Sequence, residues 1–233
     1  MAIYAIGDLH LSLGTDKPMD IFRGWSDYVP RLTENWRRLV APEDTVVLAG
    51  DISWGMSLEQ SLADFQYIHQ LPGTKIILKG NHDYWWTTKS KMDAFFERND
   101  LTTLKILHNN SYFAEGVHLC GSRGWLFEQG EPQDQKVLAR EAGRLLASLQ
   151  SVGESAGERV AFLHYPPLMG EQMSPEILDV LVQNGVRRCF YGHIHGASCA
   201  HAFNGSYRGI DFRLISADFL GFKPIKIEIS EDS

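Results

Sequence analysis

Residues 3–10 read Ile3-Tyr4-Ala5-Ile6-Gly7-Asp8-Leu9-His10, and the reading of this stretch decides the fold. Four apolar residues in a row predict a strand buried on both faces. Gly7 turns the chain, and the turn carries Asp-x-His. In an α/β sheet the crevice outside the carboxyl ends of the strands is where ligands sit, so polar side chains at that place have chemical meaning. The same order recurs down the chain. Thr45 to Ala49 precedes Gly50-Asp51-Ile52-Ser53, and Lys75 to Leu78 precedes Gly80-Asn81-His82-Asp83. Val160 to Leu163 precedes His164-Tyr165-Pro166-Pro167, and Arg188 to Tyr191 precedes Gly192-His193-Ile194-His195-Gly196. One such turn reads as a capping aspartate or a satisfied core histidine. Their succession in chain order points to a single site.

Between these strands lie helical patterns. Leu58, Leu62 and Phe65 follow i, i+4, i+7 spacing after a possible Ser57 cap; Leu138, Ala142, Leu145 and Leu149 form one apolar stripe. Asp27 to Val40 reads as a packing helix, and Pro175 to Asn184 as a helix closed by Gly185. Val117 to Cys120 is a further strand. Past residue 200 the pattern turns strand-like, over Ser198 to Phe203, Tyr207 to Ser216 and Pro224 to Ile229, with Asn204-Gly205 and Gly221 as breaks. A layered α/β fold with a largely β second half is expected. No repeat, linker or low-complexity tract divides the 233 residues, so residues 1–233 are expected to form one domain.

Composition narrows the function classes. At 44% hydrophobic and 22% charged the chain is of ordinary globular make-up, which excludes disordered and fibrous classes. Its net charge of −7 and lack of a basic stripe argue against a nucleic-acid surface. The first twenty residues show no basic start followed by an apolar stretch, and no run approaches the roughly 18 apolar residues of a membrane helix, so a cytoplasmic protein without a membrane partner is expected. Cys120, Cys189 and Cys199 are odd in number, lack C-x-x-C spacing and read as inert thiols. No G-x-G-x-x-G or G-x-x-x-x-G-K-[ST] motif occurs, so dinucleotide and P-loop sites have no support.

The turns instead supply metal ligands: carboxylates Asp8 and Asp51, imidazoles His10, His164, His193 and His195, and the amide oxygen of Asn81. One zinc ion takes four ligands, so seven donors without cysteine favour two divalent ions bridged by one aspartate. Two such ions about 3.5–4 Å apart clamp a phosphoryl group and lower the pKa of a bound water toward about 7. Two +2 ions against two aspartates also leave a positive site that attracts phosphate into an acidic protein.

At this point the sequence resembles the calcineurin-like metallophosphoesterases, over nearly its whole length. The resemblance rests on Asp8-x-His10, Gly50-Asp51, Gly80-Asn81-His82-Asp83, His164 and Gly192-His193-x-His195, in that order. It implies a four-layer α/β/β/α sandwich with two mixed β-sheets and the site at the strand ends. It also implies that Asp8, His10 and His195 hold one metal, that Asn81, His164 and His193 hold the other, and that Asp51 bridges. Many members carry Asp or Asn three residues after the bridging aspartate, whereas this chain has Trp54.

His82 is then free for leaving-group protonation or phosphate contact, with Asp83 orienting it as in the family's Asn-His-Asp/Glu motif. Arg123, in Gly121-Ser122-Arg123-Gly124, is a candidate for bidentate phosphate contact. His69, His108, His118 and His201 lie outside the turns and read as surface or core residues. The expected activity is hydrolysis of a phosphomonoester or phosphodiester by attack of metal-bound hydroxide, with Mn²⁺, Fe or Zn²⁺ as the ions. A nuclease of the same fold and a non-catalytic interaction module are the alternatives. Trp54, Trp85, Trp86 and Trp125 follow the site segments closely and predict an aromatic rim, favouring a small nucleotide or other organic phosphate ester over a phosphoprotein. Leu11 to Pro30 and Leu126 to Gln133 are candidate covering segments.

Overall fold

A computed structural model describes residues 1–126, 132–154 and 156–229. In chain order it runs β1 (Ile3–Ile6), α1 (Tyr28–Leu39), β2 (Thr45–Leu48), α2 (Leu62–Gln70), β3 (Thr74–Ile77), α3 (Lys89–Arg98) and β4 (Leu104–Ile106). Then come β5 (Tyr112–Ala114), β6 (Val117–Ser122), α4 (Pro132–Gln150), β7 (Glu158–Leu163), a short hairpin of β8 (Leu168–Met169) and β9 (Gln172–Met173), and α5 (Pro175–Gln183). β10 (Arg188–Tyr191), a 3₁₀ turn (Gly196–His201), β11 (Gly205–Tyr207), β12 (Ile210–Leu214) and β13 (Ile225–Lys226) follow.

Two mixed sheets result. One has the order β13-β1-β2-β3-β4, parallel except for β13; the other has the order β11-β12-β10-β7-β6-β5, parallel in its middle and antiparallel at both edges. Strand alternation generates the layers. Ile3, Ala5, Val47 and Ile76 face inward and share an apolar layer with Val117, Leu119, Val160, Phe162 and Phe190 of the other sheet. Tyr4, Ile6, Val46 and Leu48 face outward, against Leu32 and Trp36 of α1, Phe65 and Ile68 of α2, and Met92, Phe95 and Phe96 of α3. Across the molecule Cys120, Ala161, Leu163 and Tyr191 pack on the expected α4 stripe, Leu138, Ala142, Leu145 and Leu149, and on Ile177, Leu178 and Leu181 of α5. Burial of each leucine contributes about 1.5–3 kcal/mol. Helix, sheet, sheet and helix therefore stack as four layers.

The sheets join at one end. Beyond β12, Gly7 N–H donates to Ile215 O at 2.7 Å and Ala217 N–H to Gly7 O at 3.0 Å, which ties the end of β1 to the second sheet. The carboxyl ends of both sets of strands thus open on the same crevice.

Several expected elements differ. Residues 198–203 are not a strand: Asp218 Oδ2 accepts Gly196 N–H at 2.8 Å, and the small residues behind it wind into the 3₁₀ turn. Tyr207 to Ser216 is not one run but parts of a hairpin, turned at Arg208 (φ 50°) and Gly209. Ser57 Oγ accepts Gln60 N–H at 3.3 Å within a turn, and α2 begins later, at Leu62. β4 and β5, three residues each, are too short to show a period. Among the described residues no helix is long and apolar enough to cross a membrane. The cysteines are unpaired, and burial pushes the Cys120 thiol up to about 12.

Candidate metal centre

Four strand-end residues stand in left-handed backbone: Asp8 (φ 59°), His10 (φ 44°), Asp51 (φ 52°) and His193 (φ 73°). Such conformations cost energy and persist where surrounding bonds over-determine them. Here Asp8 N–H donates to Gly50 O, His10 N–H to Asp51 O and Leu11 N–H to Ile52 O, each at 2.9 Å, so the first two turns brace each other. A Cβ on Gly80 would lie 2.0 Å from Asp51 Oδ1, and one on Gly192 would lie 2.4 Å from Asp8 Oδ2. Only glycine permits that approach.

The donors converge. Ligand atoms of Asp8, His10 and His195 lie within 4.8 Å of one another, as do those of Asp8, Asp51 and His164. Asn81 Oδ1 lies 2.6 Å from His164 Nε2 and 2.9 Å from His193 Nδ1, which brings the remaining two residues into the set. Asp51 Oδ2 stands 3.7 Å from His10 Nε2 and 3.5 Å from His164 Nε2. All seven ligand candidates therefore share one crevice, with both aspartates buried.

Charge explains what the crevice accepts. Burial and the neighbouring Asp8 carboxylate push Asp51 up to about 8. Burial acts the same way on Asp8, but His195, His164 and His10 together hold its carboxyl below the usual range. Burial would lower His195, yet Asp8 and Asp218 hold it up at about 10. Burial first, with only partial relief from Asp8, keeps His10 down at about 3. Two carboxyl groups forced together beside buried imidazoles, one of which they hold protonated while no cation is bound, suit hard-to-borderline divalent cations, so the donor set fits the metals that its residues imply.

Residues not foreseen from sequence support this set. Asp218 Oδ1 lies 2.9 Å from His195 Nδ1, an outer carboxylate that fixes the ring. No motif flanks Asp218; it comes into place through the strand pairing of Ser216 with Gly7. Tyr165 stands over His193 with ring centroids 4.2 Å apart.

Two assigned roles are corrected. Asp83 does not hold the His82 ring. Its carboxylate accepts N–H groups of Gly80 (2.7 Å), Ile52 (2.8 Å) and Asp51 (2.9 Å) and the Trp85 indole (3.0 Å), because it lies beneath the loop rather than beside the ring. The His82 Nδ1 lies 3.4 Å from the Tyr84 hydroxyl instead. Arg123 is turned from the crevice: Nη2 pairs with buried Glu141 at 3.3 Å and the guanidinium stacks 4.9 Å over Trp125.

The aromatic rim also changes. Trp85 is core, edge-on to Phe65 at 4.8 Å. Trp54 stacks on His10 at 5.0 Å and meets His82 at 4.7 Å, while Trp125 meets Tyr165 at 5.0 Å. Trp86 lies farther out, near His108. The 11–30 loop lies against the site, with Trp25 touching the rings of His10 and His195 and Lys17 over Trp54. Most of the segment 126–133 falls outside the described residues.

The family model for calcineurin-like phosphoesterase matches residues 1–197. The chain belongs to the calcineurin-like phosphoesterase family. As a member it is a metal-dependent phosphoric ester hydrolase, and its substrate is a phosphate ester. No curated protein matches the chain by sequence. Among solved structures, phosphopantetheinyl hydrolase (PptH) of Mycobacterium tuberculosis is similar with TM-score 0.58 and 14% identity, covering 100% of this chain and 97% of that one. The protein of unknown function AQ665 of Aquifex aeolicus gives TM-score 0.52 and 17% identity, with 97% and 95% covered. GAP50, the anchor in the inner membrane complex of Plasmodium, gives 0.53 and 13%, with 94% and 72% covered. At these identities the likeness is one of fold.

Proposed function

We propose that this calcineurin-like phosphoesterase hydrolyses a small organic phosphate ester, nucleotide-like in having a ring or apolar group, at a centre of two divalent ions. Asp8, His10 and His195 would hold one ion, Asn81, His164 and His193 the other, and Asp51 would lie between them. The observation that carries this reading is the position of Asp51 Oδ2, 3.7 Å from His10 Nε2 and 3.5 Å from His164 Nε2, within reach of both groups. Mn²⁺, Fe and Zn²⁺ all accept such a mixture of nitrogen and oxygen donors. When bound, two divalent ions polarise the phosphoryl oxygens and generate a nucleophile from water at neutral pH.

The chain's own groups do the rest. His82 donates its backbone N–H to Asp51 Oδ1 at 2.8 Å and its ring lies 5.8 Å from that of His10, which supports a role for its imidazole beside the proposed ligands. Its Nε2, the ring nitrogen away from Tyr84, is assigned to protonating the leaving oxygen. Asp83 holds the Asp51 loop in register. Trp54, Tyr84 and Tyr165 border the crevice and offer faces to a ring, worth about 1–3 kcal/mol per stacked base. The reading treats residues 1–233 as one domain, because both sheets supply donors to one set.

Protein isolated without added ions should carry two metal equivalents by elemental analysis. Asp51→Asn should lose at least one equivalent and most activity on a panel of nucleotide mono- and diesters, an aryl diester and a phosphopantetheine ester. The last is included because a fold neighbour is a phosphopantetheinyl hydrolase. Normal metal content and rate in Asp51→Asn would overturn the assignment.

A further inference from the structure

With Asp83 turned beneath the loop, the loop itself supplies the His82 ring with another partner. Side chains alternate along it: Asp83 and Trp85 are buried, His82 is half-buried and Tyr84 is 51% exposed. The two buried members are anchored. Asp83 accepts the backbone N–H groups of Gly80, Asp51 and Ile52, while Trp85 donates its indole N–H to the Asp83 carboxylate at 3.0 Å and packs edge-on against Phe65. His82 and Tyr84 are thereby held together on the outer side. Tyr84 N–H donates to His82 O at 2.8 Å, which fixes the turn between them.

Their side chains meet at one point. Tyr84 Oη lies 3.4 Å from His82 Nδ1, with the rings edge to face at 6.0 Å. Among the described residues this is the one hydrogen bond that either side chain makes. The other rings beside His82 are Trp54 at 4.7 Å and His10 at 5.8 Å. Trp54 offers no hydrogen bond, since its buried indole N–H has no partner, and His10 is a proposed metal ligand. A separation of 3.4 Å is long, as catalytic hydrogen bonds often are before substrate closes the site.

We infer that Tyr84 is a positioning residue for His82: its hydroxyl oxygen accepts the Nδ1 proton, which leaves Nε2 as the nitrogen that gives its proton to the leaving oxygen. The inference rests on the role proposed for His82 and adds the group that directs it. Which ring nitrogen keeps a proton is set by the hydrogen bond the other group provides. In the step itself the Nε2–H bond breaks and an O–H bond forms on the departing oxygen. The Nδ1 proton stays on the Tyr84 side throughout, and water later restores the proton on Nε2. A hydroxyl does this without charge, whereas a carboxylate in its place would repel the incoming phosphate ester.

The test uses zinc-loaded protein with phenyl and 4-nitrophenyl phosphate esters. Tyr84→Phe keeps the ring and removes the hydroxyl. It should lower kcat on the phenyl ester by at least about threefold, with KM and metal content unchanged. The loss should be smaller on the 4-nitrophenyl ester, whose oxygen departs more readily without a proton. In a His82→Ala background the same change should have no further effect. Long-range ¹H–¹⁵N spectra should place the proton of the neutral His82 ring on Nδ1 in the wild type and share it between both nitrogens in Tyr84→Phe. A smaller loss on the phenyl ester, a loss that persists without His82, or an unchanged His82 spectrum would overturn the inference. Failure of the underlying reading is seen separately: wild-type rates on both esters in His82→Ala remove His82 from the mechanism, and Tyr84 with it.

Discussion

At the scale of single residues, the candidate ligands sit at strand ends, while the carboxylate that fixes the His195 ring arrives by distant pairing. Asp8, His10, Asp51, Asn81, His164, His193 and His195 announce themselves because a buried strand hands each to a tight turn, and the structure brings them into one crevice. Asp218 carries no such mark and reaches His195 only because residue 216 pairs with Gly7. Asp83 was visible as a residue but not in its role, since adjacency to His82 in sequence says nothing about which side of the turn its carboxylate faces. Trp85 misleads for the same reason: its indole follows Asp83 underneath the loop. His82, by contrast, stands at the crevice between Trp54 and Tyr84 and touches the proposed ligands through its backbone. His82→Ala is therefore expected to keep its metal content and melting temperature while kcat falls by roughly 10²–10⁴, the usual share of a general acid. Single-turnover rates give the check; an unchanged chemical step removes the residue from the mechanism.

Elements follow a similar division. Strands covered on both faces read as continuous apolar runs, and those of the two sheet centres were legible to within a residue or two at most ends; β4, β5 and the 3₁₀ turn were not, being short, edge-placed or built on a distant cap. The end of α2 shows how an element can be closed by a residue outside it. Lys75, on β3 and fully buried, donates from Nζ to the carbonyls of Gly73 (2.8 Å), His69 (3.3 Å) and Leu71, and to Thr103 Oγ1 (3.2 Å). Burial lowers its pKa from 10.5 to about 8. Between these values the unfolded chain keeps a proton that the folded chain has released. Since the unfolded state binds more protons, stability gains from this group as pH rises from about 8 toward 10.5. Lys75→Met lacks the group. Thermal melts across pH 8 to 10 should move in favour of the wild type relative to the variant, and a difference independent of pH would contradict the burial argument.

For the whole molecule, the decisive feature is that neither sheet owns the site. Asp8, Asp51 and Asn81 come from one, His164, His193 and His195 from the other, and the joint at Gly7 holds them together. A ligand that binds only this joined state stabilises it by about 2.7 kcal/mol at a hundred times its Kd. For a chain of this size that amounts to roughly 5–10 °C in melting temperature. Chelation should lower the wild-type Tm by about that much and the Asp51→Asn Tm by less; identical wild-type melts with and without chelator would argue against a cation at the joint. The same joint sets a timetable for biogenesis. Asp8 and His10 lie 185 residues ahead of His193 and His195 respectively. At about 5–20 residues per second a ribosome delivers the first pair roughly 10–40 s before the second. On the proposed ligand set, metal capture would be the closing event of synthesis, and a nascent chain halted before Gly192 would carry a half-built crevice with no hydrolytic power to misdirect.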